Sequence, residues 1–329
     1  EINKRVKHKD RVKKMPYYLG IDTSNYTTSA AVFDSQTGQV IHRKKLLPVA
    51  KGSLGLKQSD AVFAHVKQLP QILEELFFDL PPVSLAAVGV SARPRNQEDS
   101  YMPCFLTGKL AASAICSVNR IPMYEFSHQC GHIAAALYSA GRLDLVGQEF
   151  IAFHFSGGTT ECVHVRPGNE TVFDTEIIYH SLDLKCGQAI DRVGGMLGLS
   201  FPAGKELDAL SLNADKRFPV KTTFKDGNCC VSGLQNQCEK LLKQGESKEN
   251  IARFCIDSVC KIVWQMADNA RTQYPGLPLI FSGGVMSNTL INQKISEDFG
   301  GFFAEPQFSA DNAAGTSILA AVRDGVKVG

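Results

Sequence analysis

The sequence predicts an α/β protein of two related lobes, each in the order βββαβαβα, with a cleft between them. Three observations carry this. Apolar runs of strand length alternate with segments of helical spacing. A grammar of strand, small-residue turn, Thr-Thr pair and strand occurs twice, in YYLGIDTSNYTTSAAVFD (17–34) and FIAFHFSGGTTECVHVR (150–166). The 329 residues, 44% of them apolar, suffice for about two domains at ~150 residues each.

The first lobe opens with YYLGID, SAAVFD and QVIHRKKLL as strands, followed by residues 58–78 with apolar positions at helical spacing. LAAVGVS (85–91) is an uninterrupted apolar run, the mark of a strand covered on both faces. An Ala-rich helix over 104–118, a short strand near Ile121–Tyr124 and a helix from about Ser127 to Ala140 complete the unit. The polar stretch GRLDLVGQE (141–149) separates the lobes, placed at 15–145 and 146–329. In the second lobe a strand (171–178) follows the repeated unit. Helices are expected at 186–198, 205–212, about 231–243 and 248–273. LPLIFSGG (277–284) is a strand, a helix starts at Asn288, FGGFFAE (299–305) is a strand, and a last helix, about 311–325, is expected to pack back on the first lobe.

Mean hydropathy is −0.08 and no apolar run reaches the ~18 to 20 residues of a bilayer span, so a cytoplasmic protein with no membrane association is expected. Ten cysteines are scattered through apolar segments without a C-x-x-C pair, which reads as reduced, buried thiols. The formal charge of +2 is uneven: residues 1–14 hold seven Lys/Arg against Glu1 and Asp10, leaving 28 Lys/Arg and 31 Asp/Glu, a body at −3. That tail lacks apolar periodicity and reads as a disordered upstream or vector-derived extension before Met15, or else as a nucleic-acid-binding arm. The acidic body itself shows no basic face for nucleic acid, although a local patch such as Arg43-Lys44-Lys45 could serve.

Three small-residue turns follow apolar strands: Gly20–Ser24, Ser156-Gly157-Gly158-Thr159-Thr160, and Ser282–Asn288. Glycines let backbone N–H groups close on an anion and Ser/Thr hydroxyls add donors, so each is a candidate nucleotide cradle, or simply a turn. None matches G-x-x-x-x-G-K-[ST] or a strand-linked G-x-G-x-x-G. His128-Gln129-Cys130-Gly131-His132 spaces two imidazoles i,i+4 on one helical face, within reach of a shared divalent metal. A carboxylate from elsewhere would complete a His-His-Asp set; Asp311, in SADNAAG, also reads as a helix N-cap.

These stretches resemble the TsaD family of tRNA threonylcarbamoyladenosine transferases, also called glycoproteases or O-sialoglycoprotein endopeptidases. The ordered set is YYLGIDTSNYTTSAAVF, H-x-x-G-H at 128–132, SGGTT at 156–160, the G-x-x-x-D of Gly187–Asp191, FPAG, VSGL, FSGGVMSN and DNAAG at 311–315, together covering about 17–325. The resemblance implies the actin-like, sugar-kinase-like ATPase fold. It implies one catalytic metal, iron or zinc, on His128, His132 and Asp311, with magnesium possible alongside ATP. It places Ser156, Gly157, Gly158, Thr159 and Thr160 against the phosphate and threonylcarbamoyl part of the adenylate, and Asp191, Gly204 and Asn288 against the nucleoside.

The reaction so implied moves a threonylcarbamoyl group from threonylcarbamoyl-AMP to the exocyclic amine of the adenosine beside the tRNA anticodon. The implied partners are tRNA, a smaller actin-fold paralogue and an ATPase. No Ser/His/Asp or H-E-x-x-H arrangement supports protease activity. The chain departs from the family pattern at Asn25-Tyr26, where acidic residues are usual. It departs again at Arg93-Pro94-Arg95, where a G-P-G-L-rich segment is usual, at Thr159, and at Ala203-Gly204-Lys205. A paralogue acting on another substrate as carbamoyl-type transferase or ATPase, and a non-catalytic nucleotide-binding scaffold, are the competing readings.

Overall fold

A computed structural model describes residues 16–24, 26–48, 56–97, 99–309 and 313–329. The basic tail at 1–14, Met15, Asn25 and Asp311 lie outside the described residues. Among the described residues, two five-stranded sheets share one topology. The first is built from β1 (Tyr17–Asp22), β2 (Thr27–Asp34), β3 (Gln39–Leu46), β4 (Leu85–Arg93) and β5 (Met123–Ser127), in the order β3-β2-β1-β4-β5. The second uses β6 (Phe150–Phe155), β7 (Thr160–Pro167), β8 (Phe173–His180), β11 (Leu279–Ser282) and β12 (Phe302–Phe303), in the order β12-β11-β6-β7-β8. In each, a three-strand antiparallel meander is extended by two parallel strands: β1 pairs β4 and β4 pairs β5, as β6 pairs β11 and β11 pairs β12. The duplicated α/β architecture read from the repeated unit is therefore present.

Helices α1 (Gln58–Phe78), α2 (Phe105–Asn119) and α3 (His128–Ser139) alternate with the strands of the first lobe. In the second lobe the place of α1 is taken by α4 (Cys186–Met196), α5 (Gly204–Ser211), a hairpin of β9 (Thr223–Lys225) and β10 (Asn228–Cys230), α6 (Gly233–Lys243) and α7 (Lys248–Gln273). Then come α8 (Thr289–Phe299), the single-turn α9 (Pro306–Ser309) and α10 (Ala314–Arg323). The hairpin and α9 were not expected. The strand expected over 299–305 shrinks to Phe302–Phe303, because α8 runs on to Phe299 and stops at Gly300, whose φ of 61° is the left-handed C-cap position.

A main apolar cluster lies within each lobe, and a further cluster bridges them through α3 and α10, joining Ile133, Leu137 and Ile318 to Phe150, Val163 and Ile280. The approach of α10 to α3 requires Gly315, since a Cβ there would lie 1.9 Å from the carbonyl oxygen of Gly131. In the second sheet Phe153, Phe281 and Phe303 stack on adjacent parallel strands, with ring centroids 4.6 and 5.1 Å apart, each pair worth about 0.5–1.5 kcal/mol beyond burial. That stack locks Phe153 beside Phe281, and so sets His154 beside Ser282 one residue further along.

All ten cysteines are thiols, eight of them buried, and burial pushes the Cys162, Cys186 and Cys255 thiols above their usual range; for Cys255 the hydrogen bond with Cys238 is the larger cause. Among the described residues no helix is long and apolar enough to cross a membrane.

Candidate functional site

Ligand sites in open α/β sheets gather outside the carboxyl ends of parallel strands, and three neighbouring strand ends of the first lobe converge on one carboxylate. Asp22 closes β1, Ser91 lies near the end of β4, and His128 follows β5 directly as the first residue of α3. The Ser127 hydroxyl accepts the N–H of Cys130 (3.2 Å) as N-cap, which starts the helix at His128. Asp22 is 1% exposed and its oxygens accept from the N–H of Ser24 (2.8 Å), the Ser91 hydroxyl (2.5 Å) and His128 Nδ1 (2.8 Å). Burial alone would raise the Asp22 carboxyl, but His128 beside it and the bonds from Ser24 and Ser91 bring it below the usual carboxylate range. The ionised Asp22 binds His128 through Nδ1, so Nε2 is the nitrogen that the ring, when neutral, would offer a metal. This is the carboxylate–imidazole arrangement found behind metal-ligating histidines.

The i,i+4 spacing read from H-x-x-G-H does bring the rings together: His128 and His132 centroids are 4.3 Å apart. A third imidazole continues the row, His154 of β6, 4.9 Å from His132. Ser282 donates its hydroxyl proton to the Phe153 carbonyl (2.9 Å), so its oxygen accepts from His154 Nδ1 (3.0 Å). His154 is thus held through Nδ1, as His128 is. Among the described residues no group of three or more His, Cys, Asp or Glu is arranged to hold a metal ion. Imidazole donors, two of them (His128 and His154) held through Nδ1, are of a kind that fits a divalent metal, and Asp311, the expected carboxylate, lies outside the described residues.

The rings line a cleft of about 810 Å³ between the lobes, and Ser156, Gly157, Gly158, Thr159 and Asp191 line it with them. The Ser156 hydroxyl accepts the N–H groups of Gly158 (3.3 Å) and Thr159 (3.1 Å). Thr160 is buried and turned inward, its hydroxyl accepting the N–H of Cys186 (2.9 Å) in the first turn of α4. The N–H of Gly187 bonds the Ser156 carbonyl (3.1 Å). A Cβ at Gly187 would sit 2.5 Å from the Gly157 nitrogen, so only glycine lets α4 begin against the turn. Its positive helix end is thereby laid beside two glycines whose own Cβ positions face open space.

Asp191, on α4, accepts the N–H of Ala203 (2.9 Å), and burial lifts its carboxyl above the usual range despite that bond. Phe201 lines the cleft 85% exposed. Gly204 and Asn288 do not line this cavity. Gly204 is the first residue of α5, and Asn288 caps α8 by accepting the N–H groups of Leu290 and Ile291 (both 3.1 Å). Asn288 Nδ2 is buried without a partner among the described residues. The VSGL segment is clamped by Asp183, which accepts from the N–H of Val231 and the N–H and hydroxyl of Ser232.

Sequence reasoning included Asp22 only as part of the Gly20–Ser24 turn, with no role beside His128, and did not single out Ser91 or His154 as site residues. Asp22 and His154 had a readable signal, since each lies at the end of the first strand of the repeated unit, just ahead of the small-residue turn. Ser91 had none, because it reaches the site only through the pairing of β1 with β4.

A family model described as tRNA N6-adenosine threonylcarbamoyltransferase matches residues 49–318. A protein of that name from Lacticaseibacillus casei (strain BL23) is 31% identical over 244 residues, 71% of this chain and 68% of its own length. One from Halalkalibacterium halodurans is 28% identical over 327 residues, 93% of this chain and 90% of its own. Among solved structures, component A of the Acidaminococcus fermentans (R)-2-hydroxyglutaryl-CoA dehydratase superposes with a TM-score of 0.56 at 16% identity, covering 93% of this chain and 98% of that one. A ROK family glucokinase from Streptomyces griseus superposes at 0.51 and 13% identity, covering 93% and 99%. These likenesses show the actin-like, sugar-kinase-like fold. By its matched length and its relatives, the chain belongs to the TsaD family of tRNA N6-adenosine threonylcarbamoyltransferases.

Proposed function

We propose that the protein transfers a threonylcarbamoyl group from threonylcarbamoyl-AMP to the adenosine beside the tRNA anticodon. The observation that supports this most is the meeting, in one cleft, of the histidine row with the Ser156–Thr159 turn at the start of α4. His128, His132 and Asp311 are the proposed ligands of one divalent ion, iron or zinc, with His154 beside them. When bound, such an ion supplies Lewis-acid polarisation of the carbamoyl carbonyl. Asp22 holds His128 in the tautomer that can ligate.

The adenylate phosphate is read onto the Gly157–Thr159 N–H groups, exchanging with the Ser156 hydroxyl that now occupies two of them. Asp191 offers an acceptor to ribose hydroxyls, and exposed Phe201 offers a face to a base. Gly204 and Asn288 act in this reading by shaping the Asp191 loop and the turn after β11. The adenine amine attacks the carbonyl carbon, AMP leaves with the electron pair of the broken C–O bond and the amine proton passes to solvent, so no protein nucleophile is required.

The proposed partners are tRNA, a smaller actin-fold paralogue and an ATPase. Exposed Phe63 and Val66 on α1 and Leu106 and Leu110 on α2 offer an apolar outer face to a protein partner. A cytoplasmic location fits ten cysteines held as thiols. The test supplies threonylcarbamoyl-AMP and unmodified tRNA, with family partner proteins, and analyses digested tRNA by mass spectrometry. The modified nucleoside is expected. AMP release without it would overturn tRNA as the acceptor.

A further inference from the structure

Arg95 stands at a junction that the site described above does not use. It follows the end of β4 and lines the central cleft and two side cavities that open beside it. The segment carrying it is pinned on both sides: the N–H of Arg95 donates to the Ser100 hydroxyl (2.9 Å), and Asn96 Nδ2 donates to the Phe173 carbonyl (3.2 Å) of the second lobe. Arg95 Nη2 donates to Glu161 Oε2 (2.6 Å). Glu161 is buried, and its other oxygen accepts from Gln129 Nε2 (2.9 Å), whose own Oε1 accepts from the Thr175 hydroxyl (3.0 Å). A fixed chain of side chains therefore holds one corner of the guanidinium. The remaining N–H groups, on a side chain 38% exposed, make no other hydrogen bond among the described residues.

The smaller side cavity, about 290 Å³, runs from Arg95 past Gly158 and Thr159 to Lys185. A ligand phosphate on the Ser156–Thr159 turn would lie next to this cavity but already has backbone donors and a helix N-terminus. A planar guanidinium steadied at one corner suits a planar carboxylate instead, taken by two parallel N–H bonds. We infer that Arg95 is a specificity-determining residue, and that it receives the carboxylate of an amino-acid moiety on the group being transferred, with Lys185 across the side cavity. The inference rests on the reading of the cleft as an adenylate site and names which part of the donor is selected.

Calorimetric titrations with AMP, which has the phosphate and no carboxylate, and with threonylcarbamoyl-AMP, which has both, test it on wild type, Arg95→Gln and Arg95→Lys. Arg95→Lys keeps a cation for Glu161, so it separates loss of the fork from a local rearrangement; thermal melts accompany each variant. Both variants are expected to bind AMP within about twofold of wild type. Arg95→Gln should bind threonylcarbamoyl-AMP about 10- to 100-fold more weakly, as for a lost hydrogen bond to a charged group, with Arg95→Lys between. Equal weakening for the two ligands would assign Arg95 to the phosphate and overturn the inference, as would unchanged affinity for both. Wild type that does not bind AMP would overturn the adenylate reading itself.

Discussion

The two copies of the repeated unit end in turns of opposite character. In the first lobe Asp22, Thr23 and Ser24 are at most 1% exposed, and their bonds point into the protein: Asp22 to His128 and Ser91, Thr23 to the Cys104 carbonyl and the N–H of Gly108. In the second lobe Gly157 and Gly158 are exposed, and only Thr160 is anchored inward. One repeated shape serves as a closed turn that positions an imidazole and as an open, glycine-rich turn that lines the cleft. Changes to the first should cost stability and changes to the second should cost ligand affinity.

The largest effect is expected at Asp22. Asp22→Ala leaves His128, Ser91 and the N–H of Ser24 without their shared acceptor, and about 3–5 kcal/mol should be lost in urea unfolding. Affinity for the proposed metal should fall alongside, by about 10- to 100-fold for a lost supporting carboxylate. Ser156→Ala, in the turn of the second lobe, should cost about 1 kcal/mol. Equal losses would break the distinction between the turns.

The next effect is pH dependence, again on the first-lobe side. His65 is fully buried, donates through Nδ1 to the Thr28 hydroxyl (2.8 Å), and its Nε2 has no partner among the described residues. Burial lowers it from 6.5 to about 4, with Asp22 pulling weakly the other way. The unfolded chain therefore takes up this proton first. The contribution of neutral His65 is intact above pH 6.5 and falls by up to about 3 kcal/mol as pH drops towards 4. Asp22, held below the usual carboxylate range, adds a further loss at still lower pH. Urea unfolding across pH 4–7 should show this slope, and His65→Gln should flatten it; an unchanged slope would remove His65 as its source.

The smallest pair sharpens the open turn. Gly187→Ala forces a Cβ against the Gly157 backbone and should cost about 1–3 kcal/mol. Gly158→Ala meets nothing within 4 Å and should stay within about 0.5 kcal/mol in stability while weakening AMP binding, because its methyl enters the cleft.

How much of this was legible follows the range of the interactions. Alternating strands and helices, the repeated unit and the i,i+4 histidines are local patterns, and α1 at Gln58–Phe78 lies where its apolar spacing placed it. The β9–β10 hairpin was missed although Asp226-Gly227, with φ of 51° and 80°, is a turn signal; strands of three residues are too short to show alternation. The site's support was not legible. Asp22 and His128 are 106 positions apart, and His154 meets Ser282 across 128, so both contacts depend on sheet register. Gly204 and Asn288, named through the family resemblance, lie off the cleft lining and mainly shape backbone.

The proposed reaction is tested most directly by replacing the TsaD of a cell with this protein and measuring threonylcarbamoyladenosine in its tRNA. Wild type is expected to restore the modified nucleoside, and His128→Ala/His132→Ala is expected not to. Folded, expressed wild type that leaves the tRNA unmodified would contradict the assignment, and so would a double variant that restores it.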